Sequence, residues 1–172
     1  MAFVNIEIKA RCHNQAKIRR ILRSENAEFK GKDYQIDTYF KVNHGRLKLR
    51  EGKIENYLIY YDREDKKGPK RSNVILFKTK PNSPLKQLLT EALGVLVIVE
   101  KQREIYLFEN IKFHIDRVRN LGFFIEIEAI GGEGTLSEED LLNQCKIFLD
   151  LFKISEENLV SASYSDLLLK RK

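Results

Sequence analysis

The sequence predicts an α+β fold in which an antiparallel sheet of about eight strands carries three or four amphipathic helices. Three observations point there. Apolar and polar residues alternate in short runs from Phe3 to Glu128, and alternation marks strands because successive side chains leave a strand on opposite faces. Turn signals such as Asn43-His44-Gly45, Gly52 and Asn120-Leu121-Gly122 join most runs, and connections that short require antiparallel neighbours. Between and after the strands lie segments with the i, i+3, i+4 apolar spacing of helices resting on a sheet.

Phe3 to Lys9 opens the sheet, with Val4, Ile6 and Ile8 on one face and Asn5, Glu7 and Lys9 on the other. Asn14 reads as the N-cap of a helix running to about Phe29, with Ile18, Ile21 and Leu22 as its stripe and Gly31 as its stop. Gln35 to Val42 alternates again: Ile36, Phe40 and Val42 oppose Gln35, Asp37 and Tyr39. In Arg46 to Glu51, Leu47 and Leu49 oppose Arg46, Lys48 and Arg50. Tyr57 to Arg63 is a strand with Arg63 on the face of Ile59 and Tyr61. Glu64 to Asn73 reads as a charged, mobile loop, and Val74 to Lys80 as the next strand. Ser83 caps and Pro84 opens a helix whose stripe of Leu85, Leu88, Leu89, Ala92 and Leu93 faces the core, with Gly94 ending it.

Leu96 leads into three charged strands. Lys101 and Arg103 share a face on the first, and His114 and Asp116 share one on the second. On the third, Glu126 and Glu128 oppose Phe123, Ile125 and Ile127. Cations therefore stand on one strand and carboxylates on the next two. Gly131 to Gly134 reads as a flexible link. Ser137 and Asp140 form a capping box for a helix striped by Leu141, Leu142, Cys145, Phe148, Leu149 and Phe152. A short helix from Ser155 and a tail through Tyr164 follow.

The 172 residues suit one domain spanning 1–172. No run approaches the roughly 18 apolar residues of a membrane span, and charges at Glu7 and Lys9 interrupt any signal sequence. A cytoplasmic protein with no membrane partner is expected. Cys12 and Cys145 have no CxxC partner, so free thiols are expected rather than zinc. The net charge of +6 favours an anionic ligand. No aromatic RNA-binding motif or helix-turn-helix pattern accompanies it, so nucleic acid is not the expected partner.

A sheet with these faces either leaves its charges in water or curls shut around them, and eight strands suffice to close a barrel. Closure would bring Lys9, Lys48, Arg50, Arg63, Lys101 and Arg103 together with Glu7, Asp116, Glu126 and Glu128. Enclosed charges require compensation. A polyphosphate would balance the cations, for which arginine's planar fork is well shaped. Mg²⁺ or Mn²⁺ would balance the carboxylates, because hard divalent cations take oxygen ligands. His114 reads as a structural hydrogen-bonding residue, and Tyr39, Tyr60, Tyr61 and Tyr164 as packing residues. Lys70, Arg71, Lys78 and Lys80 either close over a ligand or are surface charge.

The runs N-I-E-I-K at 5–9, Q-I-D-T-Y-F at 35–40, R-L-K-L-R-E-G at 46–52, V-E-K-Q-R-E-I-Y at 99–106, H-I-D-R-V at 114–118 and L-G-F-F-I-E-I-E at 121–128 occur in a telling order. Order and spacing resemble the CYTH superfamily, the triphosphate tunnel metalloenzymes, and most of all its class IV adenylate cyclase branch. The resemblance implies an eight-stranded antiparallel tunnel with a charged interior and helices packed outside. It implies Mg²⁺ or Mn²⁺ as cofactor and a nucleoside triphosphate or other polyphosphate as ligand. By position it makes Lys9, Lys48, Arg50, Arg63, Lys101 and Arg103 phosphate-binding. Glu7, Asp116, Glu126 and Glu128 become metal-binding, with Glu7, Asp116 and Glu126 catalytic. The implied reaction is ATP to cyclic AMP and pyrophosphate, with hydrolysis of tripolyphosphate, thiamine triphosphate or a nucleotide as the alternative. A homodimer is also implied. The family opens E-x-E-x-K, whereas Asn5 stands here at the first Glu. Its loss removes one negative charge from the metal site, which makes a catalytically weak nucleotide- or polyphosphate-binding module a further alternative.

Overall fold

The alternating runs resolve into eight strands in the computed structural model, which describes residues 2–132 and 136–171. They are β1 (Ala2–Arg11), β2 (Glu28–Phe40), β3 (Arg46–Glu51), β4 (Tyr57–Arg63), β5 (Lys70–Lys78), β6 (Val95–Phe108), β7 (Ile111–Val118) and β8 (Gly122–Gly131). Every pairing is antiparallel, and the order β1-β5-β4-β3-β2-β6-β7-β8 closes into a barrel. Two meanders, β2 to β5 and β6 to β8, make the wall. β1 joins them on one side by pairing with both β5 and β8. The long β2–β6 ladder, from Glu28 opposite Leu107 to Phe40 opposite Val95, joins them on the other.

Four helices accompany the wall: α1 (Gln15–Ser24), α2 (Leu85–Leu93), α3 (Glu138–Phe152) and α4 (Tyr164–Leu169), with a 3₁₀ turn at Glu156–Asn158. Asn14 caps α1 by accepting from the Lys17 N–H, and Ser137 with Asp140 forms the expected capping box on α3. The main core lies between wall and helices. Ile6, Ile8, Phe113, Ile115, Ile125 and Ile127 meet Ile18 and Leu22 of α1 and Leu141, Cys145, Phe148 and Phe152 of α3. Phe113 meets Phe148 edge-on at 4.7 Å and Phe152 at 5.8 Å. Because strand side chains alternate, sending Ile6 and Ile8 outward into this core sends Asn5, Glu7 and Lys9 inward.

Several expectations need correction. The first helix ends at Ser24 rather than near Phe29, because Asn26 adopts φ 59° and the Ala27 N–H returns to the Leu22 carbonyl. The chain enters β2 at Glu28, so Gly31, at φ 135°, lies at an irregularity in the β2–β6 register instead of stopping a helix. Pro84 itself, not Ser83, occupies the N-cap of α2 and makes no side-chain capping bond. The stripe of α2 is core only in part: Leu89 is buried with Phe40 and Leu49 and Leu85 packs against them, while Leu88 is 60% exposed. β5 begins at Lys70, which leaves residues 64–69 between strands. Of the expected glycine link, Gly131 belongs to β8, and Glu133 and Gly134 lie outside the described residues.

The expected sorting of apolar side chains outward and charges inward also holds only in part. A second apolar cluster joins Tyr39, Ile59, Tyr61, Val74, Val97, Val99 and Phe124 with Tyr164 of α4. By strand parity it lies on the inner faces. Cys12 and Cys145 are buried free thiols, as expected. No described helix is long and apolar enough to cross a membrane.

The two apolar layers differ in weight. Phe113→Ala should cost about 3–5 kcal/mol in guanidinium unfolding, as expected for truncating a fully buried phenylalanine. Leu88→Ser should stay within about 0.5 kcal/mol.

Candidate active site

Inward residues of the barrel surround a cavity of about 210 Å³. All six expected cations line it: Lys9, Lys48, Arg50, Arg63, Lys101 and Arg103. Glu7, Glu126 and Glu128 line it too. Asp116 does not; it sits fully buried behind Arg103.

One group of charges gathers on Asp37. Arg50 faces it across the β2–β3 ladder and donates Nε to Oδ1 and Nη2 to Oδ2, each at 2.9 Å. Lys101 Nζ lies 2.8 Å and Lys48 Nζ 3.1 Å from Oδ2. Burial alone would raise the Asp37 carboxyl, but Arg50, Lys101 and Lys48 hold it well below the usual range. Burial pushes Lys101 down to about 7; Asp37 pulls against this, while Arg50 and Arg103 add to it. Arg50 also donates to Glu55 at 3.0 Å, and Lys112 pairs with the other Glu55 oxygen.

Glu55 reaches the site because Asp33 organises the turn after β3. Its carboxylate accepts from the backbone N–H groups of Lys53, Ile54 and Glu55 at 2.8, 3.2 and 3.1 Å. The turn passes so near that a Cβ on Gly52 would stand 2.4 Å from Asp33 Oδ2, which explains the glycine there.

The second group gathers on Asp116 and Glu126. Arg103 grips Asp116 through Nε at 2.7 Å and Nη2 at 2.6 Å, and Tyr164 OH donates to the same carboxylate at 2.7 Å. Glu126 accepts from Arg103 at 2.9 Å and pairs with Lys9 at 3.3 Å, while Lys9 Nζ stands 4.0 Å above the Tyr164 ring. Arg103, Lys9 and His114 hold Glu126 well below the usual carboxylate range despite its burial. Arg63 pairs with Glu7. Tyr164 is thus more than a packing residue.

His114 Nδ1 lies 3.2 Å from Glu126 and 3.8 Å from Glu128. Burial, helped by Arg103, lowers its pKa, so the imidazole is neutral at pH 7 and keeps a lone pair. Ligand atoms of His114, Glu126 and Glu128 all lie within 4.8 Å of one another, and His114 Nε2 makes no hydrogen bond. Two carboxylates and a neutral imidazole fit a divalent cation. Glu7 is the register neighbour of Glu128 across β1–β8. Both Asp116 oxygens are committed to Arg103 and Tyr164.

Sequence reasoning did not single out Asp33, Asp37, Glu55 or Lys112. Asp37 was legible, since it alternates in phase with Tyr39 on an inward face. Glu55 was not, because it comes from a turn without periodicity. Lys70 is buried and donates to the carbonyls of Lys66, Val160 and Ser161, with burial lowering it to about 8. Arg71 pairs with Glu138 at the surface, and Lys78 and Lys80 are exposed.

Residues 4–164 match the family model of the CYTH domain. A Methanocaldococcus jannaschii protein provisionally named an adenylate cyclase is 27% identical over 180 residues, covering 95% of this chain and 98% of its own. A solved Pyrococcus horikoshii structure is 25% identical with a TM-score of 0.80, covering 95% of this chain and 98% of that one. A Hippeastrum structure, described as a provisional adenylyl cyclase with dominant triphosphatase activity, is 14% identical with a TM-score of 0.59. It covers 97% of this chain and 95% of that one, and at such identity the likeness is one of fold.

Removing the acid at the first group should be costly. Asp37→Ala leaves Arg50, Lys101 and Lys48 without their shared carboxylate, the first two of them buried, and should lower stability by about 3–5 kcal/mol at pH 7 in denaturant unfolding. Because the Asp37 pKa is depressed on folding, its contribution is present above about pH 4 and fades as pH falls further. The gap between wild type and variant should therefore narrow in acid.

Proposed function

The chain belongs to the CYTH domain family, and from that premise we propose that its tunnel is the active site of a metal-dependent enzyme acting on a triphosphate. The reading we carry is conversion of ATP to cyclic AMP and pyrophosphate. The observation behind the triphosphate reading is the convergence of six basic side chains with Glu7, Glu126 and Glu128 on one cavity; the choice of cyclase follows the resemblance to the class IV adenylate cyclase branch and accords with the name of the Methanocaldococcus jannaschii relative.

In this reading Lys48, Arg50 and Lys101 hold phosphate oxygens from one wall, and Lys9, Arg63 and Arg103 from the other. Their carboxylate partners keep them ordered and extended, so little side-chain entropy is lost when phosphate is taken up. Glu126 and Glu128, with His114, would hold Mg²⁺ or Mn²⁺, and Glu7 stands beside them. Such an ion would supply charge neutralisation and a lower pKa for the attacking hydroxyl. Asp116 acts through Arg103, fixing its fork, rather than as a metal ligand. The ribose 3′-hydroxyl attacks the α-phosphorus, the bond to the bridging oxygen breaks, and pyrophosphate leaves. Lys9 and Arg103 offset the charge growing on that leaving group, while Glu7 and Glu126 orient the attacking hydroxyl, whose proton passes to water.

A second reading is hydrolysis of tripolyphosphate, thiamine triphosphate or a nucleotide by water in the same tunnel. The Hippeastrum relative's triphosphatase description accords with it. A third reading, a binding module without turnover, is motivated by Asn5, which stands where the family's first Glu would be.

Incubation with ATP, GTP and tripolyphosphate plus Mg²⁺ or Mn²⁺, followed by chromatography, separates these. Cyclic AMP with pyrophosphate is the expected outcome; free phosphate alone would replace it with hydrolysis, and tight binding without product with the module. Arg103→Gln should reduce kcat by about 100- to 1,000-fold, as for loss of a donor to developing negative charge. Lys101, at about 7, is largely deprotonated at pH 8, and phosphate charge draws its proton back. Tripolyphosphate binding at pH 8 should therefore take up more protons in wild type than in Lys101→Met, measured by calorimetry in buffers of different ionisation enthalpy.

A further inference from the structure

We propose that Asn5, Ser72 and Arg63 form a seat for a terminal phosphoryl group that binds it directly, without a bridging metal. The proposal rests on the triphosphate reading of the tunnel and adds where the end of the phosphate chain sits and how it is held.

The three residues form one row across three strands. Asn5 is opposite Ser72 in the β1–β5 register, and Ser72 is opposite Arg63 in the β5–β4 register. All three line the cavity and are almost wholly buried, with Asn5 at 3%, Ser72 at 1% and the Arg63 side chain at 3% exposure. Asn5 Oδ1, Ser72 Oγ, Arg63 Nε and Arg63 Nη2 make no hydrogen bond within the protein. These are four of the seven such buried atoms among the described residues. A buried polar atom without a partner is costly, more so when charged, and a cluster of them marks a place a ligand completes.

Arg63 carries the chemistry. Arg50 and Arg103 each use the Nε and Nη2 edge to grip both oxygens of a carboxylate. Arg63 spends only Nη1, on Glu7, and its Nε and Nη2 edge meets no acceptor. That edge matches two oxygens of a phosphoryl group. The Ser72 hydroxyl beside it is a further donor, and the Asn5 amide can turn its NH₂ toward the same oxygens. The row contains no carboxylate. An acid at position 5 would repel a phosphoryl oxygen unless a cation stood between them; the neutral amide removes that requirement. The row of Phe3, Val74 and Tyr61 beyond is apolar and aromatic, so on β1, β5 and β4 the charged lining ends at the seat.

Titration calorimetry with tripolyphosphate in EDTA, and again with Mn²⁺, tests this on wild type, Ser72→Ala and Asn5→Asp. Wild type should bind in EDTA. Ser72→Ala should bind roughly tenfold more weakly there, the loss of one hydrogen bond to a charged group, with an unchanged or higher Tm because a buried unpaired hydroxyl is gone. Asn5→Asp should weaken binding in EDTA at least as much and recover it in Mn²⁺. Binding of wild type only with Mn²⁺, or unaltered EDTA affinity in Ser72→Ala, would overturn the seat and leave the tunnel reading standing. Wild type that binds tripolyphosphate under neither condition would overturn both. Should Asn5→Asp fail to fold, Ser72→Ala decides the matter alone.

Discussion

Buried charge is tolerable only when it is paired, and the interior of this barrel is arranged around that constraint. Asp37 sits among Arg50, Lys48 and Lys101, and Asp116 and Glu126 sit with Arg103 and Lys9. In a low-dielectric bore the cations alone would repel one another by several kcal/mol per pair. The acids make the arrangement stable enough to fold while leaving the cavity-facing edges of the cations directed at one volume. Basic side chains that would otherwise sample many rotamers are thereby held in the orientation an anion requires.

The outer core makes this possible. Ile6, Ile8, Ile125 and Ile127 need a greasy partner and find it under α1 and α3. Alternation then leaves Glu7, Lys9, Glu126 and Glu128 no choice but the inside. A slip of one residue in β1 or β8 would exchange these faces, so helix packing and site geometry are one decision. α4 adds the last piece from the far end of the chain, bringing Tyr164 against Asp116 and Lys9.

The bore is not uniform. Charges run from Glu7 and Lys9 on β1 round through β8, β7 and β6 to Asp37, Lys48 and Arg50 on β2 and β3, while Ile59, Tyr61, Val74 and Phe3 form an apolar patch on β4, β5 and β1. Between these regions stands the neutral, polar row of Asn5 and Ser72 with Arg63. The proton affinities differ too: burial, with Arg50 and Arg103 adding to it, brings Lys101 down to about 7, whereas Arg63 beside Glu7 keeps its charge firmly.

By itself the sequence determined which residues share a face. Period-2 alternation placed Lys101 with Arg103, His114 with Asp116, and Glu126 with Glu128, and the motif order made closure the expected outcome. Gly31 reads as the stop of the first helix, whereas the backbone already turns at Asn26 and the helix ends at Ser24. Glu55 escaped notice because a turn has no period to reveal its direction. Only the tertiary structure decided which acid meets which cation. Cross-strand pairing joins residues far apart in the chain, and no local pattern could say that Asp116 would be spent on Arg103 and Tyr164 while Arg63 kept an edge without an acceptor.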